Sequence, residues 1–201
     1  MSDSNSIKFQ AMSSFNIGKL NGKLILLVQF DGMMDDHIGL IDSITNGMLR
    51  SFIDSDVFKK LNAGNFTELN IFIKKELLSI LIFKKYQEYS ANDARLIGAN
   101  IAKAVNNKPS HIIIGSGRYP DEVAFGLKLR SYNFSKYKKL RSENNYITSL
   151  YVSDVQVAEN AFEEKAAISL GVNFTRDLTN EPANVLTTWE FSNRLEALKS
   201  S

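Results

Sequence analysis

Apolar positions along the chain fall into short unbroken runs separated by stretches of helical spacing, the pattern of a layered α/β domain. Residues 23–30 read as a buried strand closed by a turn at Asp31-Gly32. From Asp36 onward Ile41, Ile44, Met48 and Phe52 recur at helical spacing, which predicts a helix returning across the sheet with Asp35 or Asp36 as its cap. Residues 69–73 and 77–83 are β-branched and aromatic runs broken by Lys74-Lys75-Glu76. They predict a hairpin, and with it a mixed sheet rather than a purely parallel one. Residues 92–105 predict a helix capped by Asn92, with Leu96, Ile97, Ile101 and Val105 facing inward. Residues 111–114 form another buried run stopped by Gly115-Ser116-Gly117, and Pro120-Asp121-Glu122 opens a helix as Pro and acids favour in a first turn. Residues 147–152 predict the last strand.

The final quarter has a different pattern. Residues 154–178 keep the helical period but carry two apolar stripes, Val157, Ala161, Ile168 and Val172 on one side and Phe162, Ala166, Leu170, Phe174 and Leu178 on another. A helix with two apolar faces needs two partners. At 1.5 Å per residue it would be roughly 37 Å long, the reach of a connector between domains. A further helix is predicted from Thr187-Thr188, with Trp189, Phe191, Leu195 and Leu198 apolar.

Composition narrows the chemistry. In 201 residues, 44% are hydrophobic and 23% charged, with 3 Pro, which excludes disordered and low-complexity classes and leaves one domain with an appendage. With 24 basic against 22 acidic residues the net charge is +2, so any nucleic-acid surface must be local. The absence of cysteine removes thiol nucleophiles and thiolate metal sites, and two histidines are too few for a site built on several imidazoles. The polar, acid-bearing N-terminus does not resemble an export signal and the apolar runs are short, so a soluble cytoplasmic protein without a membrane span is expected.

Four candidate sites can be weighed. Asp31, Asp35, Asp36 and His37 could form an oxygen- and nitrogen-rich metal cluster, but their spacing fits no calcium loop and acids at such a turn normally act as caps. Gly115-Ser116-Gly117 occupies the place of a phosphate-cradling loop yet lacks the full glycine fingerprint, so a simple tight turn is favoured. His111 has no partner at a spacing typical of catalysis and reads as structural. The stretch Lys128, Arg130, Lys136, Lys138, Lys139 and Arg141 is free of acids and interleaved with Tyr132, Phe134 and Tyr137. Lys136, Lys138, Lys139 and Arg141 are its candidates for nucleic-acid contact, against the simpler reading of a solvated helix end.

Two segments carry a resemblance. Residues 125–138 (FGLKLRSYNFSKYK) resemble the G-x-x-L-x-x-Y-x-F-x-x-Y-K stretch near the end of the N-terminal domain of leucyl (cytosol) aminopeptidases. Residues 171–187 (GVNFTRDLTNEPANVLT) are similar to that family's A-R-D-L-x-N-E-P-A-N-x-L-T-P signature, in the same order and at a plausible separation. Residues 1–110 match only in pattern, residues 65–85 depart from the family's glycine-rich stretch, and Thr188 stands where proline is common. The resemblance implies a macrodomain-like mixed β-sheet flanked by helices over residues 1–152, a connector helix over 153–179, and the beginning of a catalytic domain over 180–201. It further implies a two-metal aminopeptidase, with manganese or zinc, that releases N-terminal amino acids such as leucine and assembles as a hexamer. The family's metal ligands and catalytic arginine lie downstream of this signature, so this chain is expected to be a non-catalytic fragment binding no cofactor, whose partner is its own catalytic domain. Arg176, Asp177, Asn180, Glu181, Pro182 and Asn184 are then expected at the junction between domains.

Overall fold

The computed structural model describes residues 5–73, 76–115, 117–137 and 146–200. Six strands form one sheet: β1 (Asn5–Ala11), β2 (Lys23–Val28), β3 (Phe66–Ile73), β4 (Glu76–Lys84), β5 (Ser110–Gly115) and β6 (Tyr146–Val152), in the spatial order β1-β6-β5-β2-β4-β3. Every neighbouring pair is parallel except β3 with β4, which form the antiparallel hairpin at one edge. The mixed sheet expected from the hairpin is therefore present.

Strand β2 lies between β4 and β5 and is buried on both faces, with Leu24, Ile25 and Leu26 at 0% exposure, which is why its sequence is an unbroken apolar run rather than an alternation. Alternate residues feed two cores. Leu24, Leu26 and Val28 pack with Ile80, Ile82 and Ile113 under helices α1 (Asp36–Ile44), α2 (Met48–Ile53) and α3 (Asp56–Lys60). Ile25 and Leu27 pack with Phe83, Ile112 and Leu150 under α4 (Ala91–Val105), α5 (Pro120–Arg130) and the start of α6 (Val155–Asn180). The result is three layers, helices on sheet on helices.

Three local expectations need correction. Strand β1 was not apparent in the sequence, because only Phe9 of its residues is buried and the rest of an edge strand can be polar. The single helix expected from Asp36 through Phe52 is broken into two, α1 and α2, and the short α3 follows. Asn46 and Gly47 take left-handed angles (φ 54 and 77) and the Gly47 N–H donates to the Asp42 carbonyl, closing α1. The inward residues are consequently Ile38, Ile41, Leu49 and Ile53, while Ile44 and Met48 are exposed. Helix α4 begins one residue earlier than expected, on a Ser90/Asp93 capping box instead of Asn92, and Leu96 faces solvent.

Helices α4 and α5 approach closely because each contributes a glycine to the contact. A Cβ on Gly98 would stand 2.1 Å from the Val123 carbonyl oxygen, and one on Gly126 would stand 1.9 Å from that of Arg95. Helix α6 lies along α5 and β1: Ala158 is buried, Phe162 meets the Phe9 ring edge-on at 5.6 Å, and Lys165 binds Asp121 at 2.7 Å. With 26 residues it is about 39 Å long. Helix α7 (Thr188–Ala197) follows, capped by the Thr187 hydroxyl, which accepts from Glu190 N–H.

Candidate functional site

The two segments that carry the resemblance meet in space. The end of α5 and the turn after it, residues 129–137, lie against the last two turns of α6 and the residues beyond it. Arg176 donates to the Leu129 carbonyl at 2.5 Å, reaching also toward Asn173 at 3.5 Å, and its guanidinium stacks over the Tyr132 ring at 5.4 Å. The Tyr132 hydroxyl donates to Asp177 at 2.9 Å and accepts from Asn180 at 3.3 Å, while Asn180 also donates to the Arg176 carbonyl at 2.8 Å. One short ladder of contacts thus joins α5 to α6 through a tyrosine.

Glu181 is the second node. Its carboxylate accepts from Lys136 at 2.5 Å, from the Tyr137 hydroxyl, and from Arg194 of α7 at 3.0 Å. Its side chain is only 1% exposed, with these three donors gathered around it. The hydrogen bond from Lys136 leads, with that from Tyr137 next, in holding the carboxyl down from 4.5 to about 2. The same contact raises Lys136 and Tyr137. Arg194 is raised first by Glu190, to which it donates at 2.7 Å, and then by Glu181. Burial is the main cause of the raised Tyr132, with the Asp177 hydrogen bond second. Pro182 and Asn184 are exposed on the turn between α6 and α7, where the Pro182 carbonyl accepts from Val185 and Leu186.

Of the candidate residues, Arg176, Asp177, Asn180 and Glu181 come together, and Lys136 joins them as an ion-pair partner rather than standing free for phosphate. Lys138, Lys139 and Arg141 lie outside the described residues, as does Ser116. The sequence reading did not single out Tyr132, Tyr137 and Arg194 as members of this site. The spacing of the two tyrosines within the first segment was visible, but their partners lie 44 or 45 residues away in the chain.

The other candidates are structural in their contacts. Asp31 accepts from Met33 N–H and Asp35 caps α1 through Ile38 N–H, both at 2.9 Å. His111 Nε2 donates to the Asn21 carbonyl at 3.2 Å, which leaves Nδ1 to accept the Tyr151 hydroxyl at 3.3 Å. Burial lowers the His111 pKa and keeps it in that neutral form.

No family model matches the chain. A protein of Dinoroseobacter shibae named probable cytosol aminopeptidase is 31% identical over 176 residues, covering 88% of this chain and 36% of the relative. One of the same name from Cereibacter sphaeroides is 27% identical over 192 residues, covering 96% of this chain and 39% of the relative. By fold, the chain is similar to a mutant of tomato leucine aminopeptidase, with a TM-score of 0.71 at 15% identity, over 97% of this chain and 42% of that one. The sheet and its helices therefore define a module of the leucine aminopeptidase N-terminal type. The chain belongs with the leucyl, or cytosol, aminopeptidases, and corresponds to their N-terminal part. It spans a little over a third of the length of the curated relatives it matches.

Members of the family are generally metal-dependent. Among the described residues no group of three histidine, aspartate or glutamate side chains is placed to hold a metal ion. Asp31 is engaged in the turn before α1, and Asp35 caps that helix. These residues do not fit such a centre. Among the described residues, no helix is long and apolar enough to cross a membrane.

Proposed function

We propose that this chain is the non-catalytic N-terminal part of a cytoplasmic leucyl aminopeptidase that releases N-terminal residues, leucine among them, from peptides with two divalent metals. In this reading residues 1–152 form the N-terminal domain, 153–179 the connector, and 180–201 the first step of the catalytic domain. Arg176, Asp177, Asn180 and Glu181, with Pro182 and Asn184 on the turn, set the angle at which that domain follows. Its partners are the catalytic domain and further copies in a hexamer, and the metals belong to the catalytic domain.

The observation that carries the reading is the contact between the two signature segments, since Glu181 fastens the basic stretch to both α6 and α7. The apolar side of α6 facing away from α5 supports it. Val157 and Ile168 are 64% and 47% exposed there, and Trp189, Phe191 and Leu195 of α7 are exposed as well, so a second partner has a surface to cover. The test is turnover of leucine p-nitroanilide with added manganese or zinc. These 201 residues alone are expected to show none, whereas a longer chain continuing in frame after Ser201 is expected to be active. Metal-dependent turnover by the 201-residue chain would overturn the reading.

A further inference from the structure

Strands β2 and β5 lie side by side and parallel, yet they send their following helices to opposite faces of the sheet, β2 to α1 and β5 to α5. An open α/β sheet has its crevice at such a point, outside the carboxyl ends of the strands. Here Gly115 ends β5 at φ 57, and a Cβ on it would stand 2.1 Å from the His37 ring, so the backbone there must be bare. Two residues on, a Cβ on Gly117 would lie 3.6 Å from Lys85 Nζ. Helix α5 opens at the same place with Pro120 first and no side-chain cap, Tyr119 before it being left-handed at φ 64. The two acids of its first turn are engaged elsewhere, Asp121 with Lys165 at 2.7 Å and Glu122 with Arg95 at 2.8 Å.

Lys85 is the residue that fold and packing leave unexplained. It follows β4 directly, is 4% exposed, and donates its backbone N–H to the Val28 carbonyl. Its ammonium makes no hydrogen bond or ion pair among the described residues and rests over the Tyr89 ring at 5.4 Å. The neighbouring Tyr89 hydroxyl is fully buried and has no hydrogen-bond partner among the described residues. An ammonium so poorly solvated, with no carboxylate in direct contact among the described residues, is an unfavourable arrangement unless an anion joins it. Desolvation accordingly lowers the Lys85 pKa, with the charge of Asp35 opposing it. Arg118, exposed on the rim, stacks on Tyr119 and has no ion pair among the described residues.

We propose that this crevice is an anion site for a phosphoryl group, with Lys85 as its counter-charge, the Asp121 and Glu122 backbone N–H groups at the start of α5 as donors, and Arg118 at its mouth. The pairing of helix N-terminus with a lysine is suited to a small dianion. The group could arrive as inorganic phosphate or as the monoester of a nucleotide, which share this chemistry. The inference is independent of the aminopeptidase reading.

The test is an NMR titration of the ¹⁵N-labelled 201-residue chain with inorganic phosphate and, separately, adenosine monophosphate, at ionic strength held constant with sodium chloride. Saturable shifts at the amides of Gly117, Arg118 and Asp121 are expected with at least one of them. Saturation by phosphate assigns the free ion, and saturation by the monoester alone assigns the nucleotide. Lys85→Met should weaken the fitted Kd at least tenfold, and Arg118→Gln, a surface change that leaves the fold intact, several-fold. Shifts that fail to saturate with either probe, or a Kd unchanged in Arg118→Gln and in folded Lys85→Met, would overturn the proposal.

Discussion

Glu181 receives three donors from two separate stretches of chain, Lys136 and Tyr137 from one and Arg194 from the other, and its charge is the common term in all three contacts. Its carboxyl titrates near 2 when folded and near 4.5 when free, so the junction's electrostatic support is complete above about pH 4.5 and disappears as the pH falls toward 2. Amide exchange over residues 185–195 is expected to quicken in that window while the strand amides of β2 stay protected. The Glu181→Gln variant should show the quicker exchange already at pH 7. Tyr132 offers a milder cut, since Tyr132→Phe keeps the ring under Arg176 but removes the hydroxyl shared by Asp177 and Asn180. A loss of about 0.5–1.5 kcal/mol, read from the denaturant midpoint, is expected for one such hydrogen bond. At this scale the polar residues of the second signature were legible, because their types and spacing are distinctive. Their partners were not, because nothing in a linear pattern shows that Tyr137 and Glu181 will face each other across 44 residues.

Helices reveal what a periodic pattern can and cannot carry. The core-facing stripe of α4 was largely readable from Ile97, Ile101 and Val105, yet the closeness of α4 to α5 rests on Gly98 and Gly126, which have no side chain to enter such a count. Gly126→Ala should drive a methyl into the Arg95 carbonyl and cost about 1–3 kcal/mol in thermal or denaturant unfolding. Gly171→Ala is the contrasting case. Nothing lies within 4 Å of the position its Cβ would take in α6, and alanine favours a helix over glycine by roughly 0.5–1 kcal/mol, so that variant should be stabilised. The same limit explains the break between α1 and α2. Helical spacing from Ile41 to Phe52 continues through the two left-handed residues that end the first helix, so periodicity alone joined what Asn46 and Gly47 separate. Strand β1 escaped notice for a related reason, since its parallel pairing with β6 is set by partners some 140 residues away.

The whole molecule leaves an asymmetry that neither core resolves. One face of α6 is docked on α5 and β1, whereas its other face and the apolar residues of α7 end in solvent. Trp189 is 76% exposed and is the sole tryptophan of the chain, which makes it a reporter of that surface alone. Its emission in the 201-residue protein is expected to lie close to that of indole in water and to be fully open to acrylamide quenching. In a longer chain that supplies the region matched to the remainder of the relatives, the emission should move to the blue and the quenching should fall. Leu195→Glu separates this from local packing. Leu195 is 41% exposed, so the substitution should change the stability of the short chain by no more than about 0.5 kcal/mol, as at ordinary surface positions. In the longer chain it should prevent the blue shift, because a carboxylate would then be buried against an apolar partner without a counter-charge. A tryptophan already shielded in the short chain would place the covering surface within these residues and remove the need for a second partner.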